Sequence, residues 1–129
     1  MNNIERNEEI EVKVTEVMYV PKLETPEDKP HPFVYFIEIH NHSARDIRLF
    51  GRKWIVQETS GELVVLEGDG IVGQNPRLNA GENYAYNSYH VTAMNARAGG
   101  AFYVQTTEGD IFVAEIPHFV LEIPEWVKF

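Results

Sequence analysis

The stretch FVYFIEIHN, residues 33–41, decides the fold class, because its apolar residues recur at every second position. One face of an extended strand then carries only large apolar side chains, namely Phe33, Tyr35, Ile37 and Ile39. Residues 33–37 are also the longest unbroken apolar run, far short of the roughly 18 residues that a membrane helix needs. The pattern predicts a central β-strand.

The same alternation recurs along most of the chain, and Gly, Pro, Asn or Asp interrupts it about every ten residues. Turns at 59–62 and 107–110 predict hairpins. The apolar phase slips after Val14 and again near Gly51, and each slip predicts a β-bulge. About seven strands result and no long helix, which is typical of an all-β, antiparallel sandwich of two sheets.

The chain has 129 residues, the size of a single domain. We expect a polar leader at 1–9 and a loop at 21–32, where PKLETPEDKPHP carries four prolines that cannot donate to a β-ladder. A second loop is expected at 95–100, and Pro117 should stop the last hairpin or mark an edge. Trp126 and Phe129 suggest that the C-terminal segment packs against the body.

The charge balance and the absence of cysteine narrow the range of partners and chemistries. Eleven basic against twenty acidic residues give a net charge of −9, which disfavours binding to nucleic acid and to anionic lipid. Without cysteine there is no disulfide, no thiolate metal ligand and no cysteine nucleophile. The N-terminus lacks the pattern of a secretory signal. We therefore expect a cytoplasmic protein without membrane insertion.

Two segments resemble the ApaG family, also called CorD. They are RKWIVQETSGELVVLEGDGIVGQNPRLNAG at 52–81 and FVAEIPHFVL at 112–121. The shared features are the R-x-W pattern, a glycine-rich loop, a Y-x-S element and a closing F-x-V-x-I-P-x-F-x-L pattern, which extends the resemblance from about Val12 to Leu121. The resemblance implies a fibronectin type III or immunoglobulin-like sandwich. It also implies a family linked to cobalt tolerance and magnesium efflux, whose relatives in eukaryotic F-box proteins look like interaction modules.

The glycine-rich loop GDGIVG, residues 68–73, could bind a phosphate through its backbone amides. Arg52 is part of the family pattern and Arg77 follows the loop, so both guanidinium groups could assist. The candidate anion-binding residues are Gly68, Gly70, Gly73, Arg52 and Arg77. The alternative is that the glycines only supply positive φ in a tight turn, since no helix of the dinucleotide-binding type follows them.

Two other residue pairs give weak indications of a metal site and of a nucleophile. His40 and His42 lie two apart, so both rings project to one side of a strand, but two imidazoles do not complete a metal site. Ser88 and His90 also lie two apart, without a nucleophile elbow around the serine. We therefore expect no catalytic residue, no metal site and no cofactor.

These observations favour a non-catalytic binding or interaction domain that uses sheet edges and loops to bind a protein partner or a second copy of itself. The alternative hypothesis is a sensor of a nucleotide or another pyrophosphate-bearing small molecule, bound at the GDGIVG loop.

Overall fold

A computed structural model describes residues 5–6 and 9–127 and shows only β-strands as regular elements in that part of the chain. The strands are β1 (Glu5–Arg6), β2 (Ile10–Tyr19), β3 (His31–Asn41), β4 (Ile47–Glu58), β5 (Leu63–Asp69), β6 (Arg77–Leu78), β7 (Asn83–Thr92), β8 (Ala96–Thr106) and β9 (Ile111–Leu121). The described residues accordingly contain no helix that could cross a membrane.

The strands form two sheets that pack face to face. One sheet has the order β2-β3-β7, and the other has the order β1-β9-β8-β4-β5, with β6 beside β4. All pairs are antiparallel except β1 with β9. Seven strands have seven or more residues. Three long strands thus face four, which confirms the predicted fibronectin type III-like sandwich.

The core lies between the sheets and follows the predicted alternation. Along β3, Phe33, Tyr35, Ile37 and Ile39 are buried, and residues between them are partly exposed. The facing sheet contributes Leu49, Trp54, Phe102, Val104, Ala114 and Ile116. Burying large apolar side chains stabilises the fold by about 1.5–3 kcal/mol each.

An aromatic cluster joins the two sheets near the middle of the core. His90 of β7 stacks on Tyr35 of β3 with ring centroids 4.6 Å apart. The edge of the same imidazole meets Trp54 of β4 at 4.6 Å, and Tyr35 lies 4.8 Å from Trp54. Because Trp54 belongs to the opposite sheet, this cluster fixes how the two sheets are positioned against each other.

Both predicted bulges are present, since the register shifts between Val14 and Glu16 and between Leu49 and Gly51. A third shift, between Ala98 and Gly100, was not predicted. The loop expected at 95–100 is wrong, because the segment from Ala96 belongs to β8. Pro117 does not stop the hairpin, since β9 continues to Leu121, but it does lie at an edge, because no described strand pairs with the other side of β9 beyond Val113. The bulge leaves Pro117 outside the paired register, so its missing N–H removes no ladder bond.

The ends and the proline-rich loop differ slightly from expectation. Residues 5–6 lie within the expected polar leader but form β1. The loop ends earlier than predicted, because His31 and Pro32 already pair with β7. Trp126 packs edge-on against Tyr19 at 6.0 Å, as expected for the C-terminal segment, whereas Phe129 lies outside the described residues.

The loop is held to the body by an ion pair. The Lys29 ammonium lies 3.1 Å from the buried Glu58 carboxylate and 3.4 Å from that of Glu62. Glu58 also accepts a hydrogen bond from the Ala93 backbone N–H at 2.8 Å. Lys29 thereby neutralises a carboxylate that would be costly to bury alone.

Gly100 provides a test of the third bulge. Its φ is +149°, and a Cβ there would overlap the carbonyl oxygen of Lys53 on β4. We expect Gly100→Ala to lower the free energy of unfolding by about 3 kcal/mol or more. Gly109, at φ +97°, has open space around the Cβ position, so Gly109→Ala should cost only about 1–2 kcal/mol. Equal losses for the two variants in urea denaturation would contradict this account.

Candidate functional site

The glycine-rich loop is a tight turn that satisfies its own backbone. The Ile71 and Gln74 backbones bond reciprocally, N–H to carbonyl, at 2.6 and 3.0 Å, and the Gly70 amide donates to the Phe50 carbonyl at 2.8 Å. Val72 and Gly73 between them have φ of +46° and +78°, as in a type I′ turn. Three amides that could have met a phosphate are therefore engaged within the protein.

Arg52 does meet this loop, but it contacts carbonyl groups rather than a shared anion position. Its Nη1 donates to the carbonyl oxygens of Asp69 at 2.8 Å and Gly70 at 3.2 Å. Gly68 gives the guanidinium room, because a Cβ there would lie 2.8 Å from both terminal nitrogens. The structure thus brings Arg52 together with Gly68 and Gly70.

Arg77 lies apart from that group. It is exposed on β6, opposite Arg48 of β4, and in the described part of the chain no hydrogen bond joins its side chain to Arg52 or to the turn. Arg48 donates to Gln105 at 2.7 Å, and its guanidinium lies 5.3 Å from the Phe50 ring centroid. Arg48 and Arg52, both on β4, therefore contact different groups.

A cleft opens between β5 and β7, the last strands of the two sheets on one side of the sandwich. Its volume is about 520 Å³. Half-buried Arg52, Tyr86 and Ser88 line its interior, above a floor of buried Tyr35, Trp54 and His90. Leu66, Val72 and Tyr89 form an exposed apolar rim.

Sequence reasoning missed this cleft as a site. Arg52 and Trp54 lie two apart on β4, as Tyr86, Ser88 and His90 do on β7, so each set faces one side. That spacing was available in the sequence. The packing of the two sheets, which turns the two sets toward one another, could not be predicted from the sequence.

Polar groups in the cleft have unusual surroundings. Burial raises the pKa of the Tyr35 and Tyr86 hydroxyls, and the positive charge of Arg52 opposes part of each rise. The Ser88 side chain also opposes the rise in the pKa of Tyr35. The Tyr86 hydroxyl and His90 Nε2 are buried without a hydrogen-bond partner in the described chain. The cleft therefore combines one cation with unsatisfied polar atoms.

The sequence also singled out two residue pairs, His40 with His42 and Ser88 with His90. The rings of His40, on β3, and His42, just after its end, stack with centroids 5.6 Å apart. Their Nε2 atoms lie 3.0 Å from the Glu38 carboxylate and 2.8 Å from the Glu11 carboxylate, respectively. Within residues 9–127, no three His, Asp or Glu side chains group as metal ligands would. Ser88 lines the cleft, and His90 lies among the rings of Tyr35 and Trp54.

Besides the cleft, the edge strand β5 is a second candidate binding surface. It pairs with β4 on one side, and no described strand pairs with its other side. Its sequence is LVVLEGD, and Leu63, Val65 and Leu66 are 54%, 45% and 47% exposed. An exposed, apolar edge strand can pair with a strand of another chain.

Comparison with known proteins gives a consistent result. The ApaG domain family matches residues 21–106. Protein ApaG of Vibrio vulnificus strain YJ016 is 37% identical over 109 residues, covering 82% of this chain and 85% of its own. Protein ApaG of Rhizobium leguminosarum bv. trifolii strain WSM2304 is 35% identical over 117 residues, covering 90% and 89%.

Two solved structures superpose on this chain over nearly its whole length. An X-ray structure of a structural genomics target superposes with a TM-score of 0.82 at 28% identity, covering 94% of this chain and 92% of that one. A structure described as the putative ApaA protein from Bordetella pertussis gives a TM-score of 0.78 at 24% identity, covering 95% and 99%.

His90 should make stability depend on pH. Burial lowers the pKa of His90 from 6.5 to about 4, so the unfolded chain takes up a proton at higher pH than the folded chain does. Stability present above pH 6.5 is therefore lost as the pH falls toward 4. Over that pH range we expect the free energy of unfolding, measured by urea denaturation, to fall by about 3 kcal/mol more for the wild type than for His90→Phe. Parallel pH profiles for the two proteins would contradict the assignment.

Proposed function

This chain belongs to the ApaG family, and on that premise we propose that it is a non-catalytic interaction domain that binds a protein partner through the open edge of β5. The observation that carries the proposal is the exposed apolar strand LVVLEGD at the end of the larger sheet. A strand in that position offers alternate backbone N–H and C=O groups to an incoming strand.

Both faces of β5 contribute apolar surface. Leu63 and Val65 lie on the outer face, opposite Gln57 and Ile55, whereas Leu66 lies on the inner face, opposite Trp54. Leu66 is nevertheless 47% exposed, because the cleft leaves it uncovered. A partner strand beside β5 could bury side chains of either face.

The strand also lacks the features that usually prevent edge pairing. Natural edge strands are often short, or carry lysine or proline, or are covered by another segment. β5 has seven residues with neither lysine nor proline, and its charged residues, Glu67 and Asp69, lie at its C-terminal end. This composition favours a surface that serves pairing.

The alternative function, binding of a nucleotide or pyrophosphate at the glycine-rich loop, stays a prediction. It has less support, because the amides of Gly70, Ile71 and Gln74 already donate within the protein. We place the protein in the cytoplasm, since a chain without cysteine suits a reducing compartment. We further propose that the cobalt and magnesium link implied by the resemblance acts through the protein partner.

Leu63→Lys tests the proposal by placing a charge on the exposed edge strand. We expect recovery of the partner to fall at least about tenfold, because pairing would bury the ammonium group. Val120→Lys is the matched control, since Val120 is 57% exposed on β9, outside this edge. The readout is quantitative mass spectrometry of proteins captured from one lysate by each bait, together with sedimentation of the pure proteins.

A partner retained by the wild type and Val120→Lys but lost by Leu63→Lys supports the edge. Self-association lost in the same pattern supports it as well and identifies the partner as a second copy. If all three baits capture the same proteins at equal yield and all three sediment as monomers, the proposal is wrong.

A further inference from the structure

Arg52 is a half-buried cation with no carboxylate partner among the residues that the structure describes. Six described ion pairs or charge contacts engage acidic groups with other basic residues, but Arg52 donates only to the backbone carbonyls of Asp69 and Gly70, through Nη1. In the described chain its remaining guanidinium nitrogens have no partner. A guanidinium inside a cleft that still has unused N–H donors can bind an anionic group of a ligand, even in a protein of net charge −9.

Tyr86 supplies a second donor beside that charge. Its hydroxyl is buried without a hydrogen-bond partner in the described chain, and Tyr86 and Arg52 line the same cleft. Leaving a buried hydroxyl unsatisfied costs about 1–3 kcal/mol. A ligand oxygen that accepts from Tyr86 and Arg52 together removes that cost and gains a charge-assisted hydrogen bond.

The rim of the cleft is suited to an apolar body. Leu66 is 47% exposed, and Val72 is 57% exposed at a φ of +46°. A β-branched residue at positive φ is strained, and such outliers concentrate at functional sites. The turn therefore holds an apolar side chain at the mouth, beside Leu66 and Tyr89, where glycine or asparagine would be less strained.

The number of charges decides which anion fits. Among the described residues that line the cleft, Arg52 is the only lysine or arginine, and burial lowers the pKa of His90 to about 4, so its imidazole is uncharged near neutral pH. Glu67 lies at the rim. A pyrophosphate or nucleotide would carry several negative charges against that single cation. One carboxylate is matched by one guanidinium, and its two oxygens can accept from Arg52 and from Tyr86.

We propose that the cleft between β5 and β7 binds a small monocarboxylate with an apolar or aromatic body, whose carboxylate meets Arg52 and Tyr86 and whose body packs against Leu66, Val72 and Tyr89. This ligand site shares Val65 and Leu66 with the strand proposed above to bind a partner, but its anion-binding groups, Arg52 and Tyr86, lie on β4 and β7. Its volume of about 520 Å³ lies within the usual range for small-molecule sites.

Phenylacetate is the probe, with benzyl alcohol as its uncharged counterpart and pyrophosphate as the polyanion. Titrations are followed by the NMR resonances of the two tryptophan indoles. Trp54 lies in the floor of the cleft, whereas Trp126 packs on Tyr19 and serves as the internal control. We expect phenylacetate to shift the Trp54 resonance saturably at millimolar concentration and to leave Trp126 unchanged.

Tyr86→Phe removes the unpartnered hydroxyl without removing a bond of the free protein. We expect it to keep the wild-type stability and to weaken phenylacetate binding on the order of tenfold. Tyr84→Phe is the matched control, because Tyr84 lies on the same strand and does not line the cleft, and it should bind as the wild type does.

The proposal is overturned if phenylacetate leaves Trp54 unchanged, if benzyl alcohol binds as tightly, if pyrophosphate binds more tightly, or if Tyr86→Phe binds phenylacetate as the wild type does. The two proposals can fail separately. Leu63→Lys should lose the protein partner and keep phenylacetate binding, since Leu63 does not line the cleft. Tyr86→Phe should lose ligand affinity and keep the partner.

Discussion

The contact of His90 with Tyr35 and Trp54 is the constraint on which the arrangement of this sandwich depends. The three rings come from β7, β3 and β4, so they tie the smaller sheet to the larger one at centroid separations of 4.6 to 4.8 Å. β5 lies one strand beyond Trp54, and none of the described strands extends the smaller sheet beyond β7 to face it. The two sheets therefore cover each other as far as β4 but not at β5. This difference produces both the cleft and the exposed apolar edge.

The sequence predicted those features that depend on local periodicity. The strand at 33–41, the slips after Val14 and at Gly51 and the two hairpins all follow from alternation and turn residues. The continuation of β9 through Pro117 could not be predicted, because it depends on a bulge formed with Gly99 of another strand. The cleft escaped prediction for the same reason: alternation places Arg52 and Tyr86 on faces of their own strands, and only long-range pairing brings those faces together.

The glycine-rich motif illustrates how one pattern serves two different structures. In a dinucleotide-binding fold, such glycines open a helix toward a phosphate. Here Gly68 admits the Arg52 guanidinium, Gly70 and Gly73 supply positive φ, and the turn closes on its own amides. The arginine in turn holds the carbonyls at the end of β5. The motif thus shapes the cleft and its rim, and the recognition surfaces we propose lie beside it rather than on its backbone.

The central claim is that β5 is an unpaired apolar edge in the free protein. Amide hydrogen exchange on the isolated chain at micromolar concentration, resolved residue by residue, tests this claim most directly. The account predicts alternation along β5, with amides directed toward β4 protected and those directed outward exchanging almost as fast as in an unfolded peptide, while β4 is protected throughout. Uniform protection along β5 would show that the edge is already covered and would contradict the account.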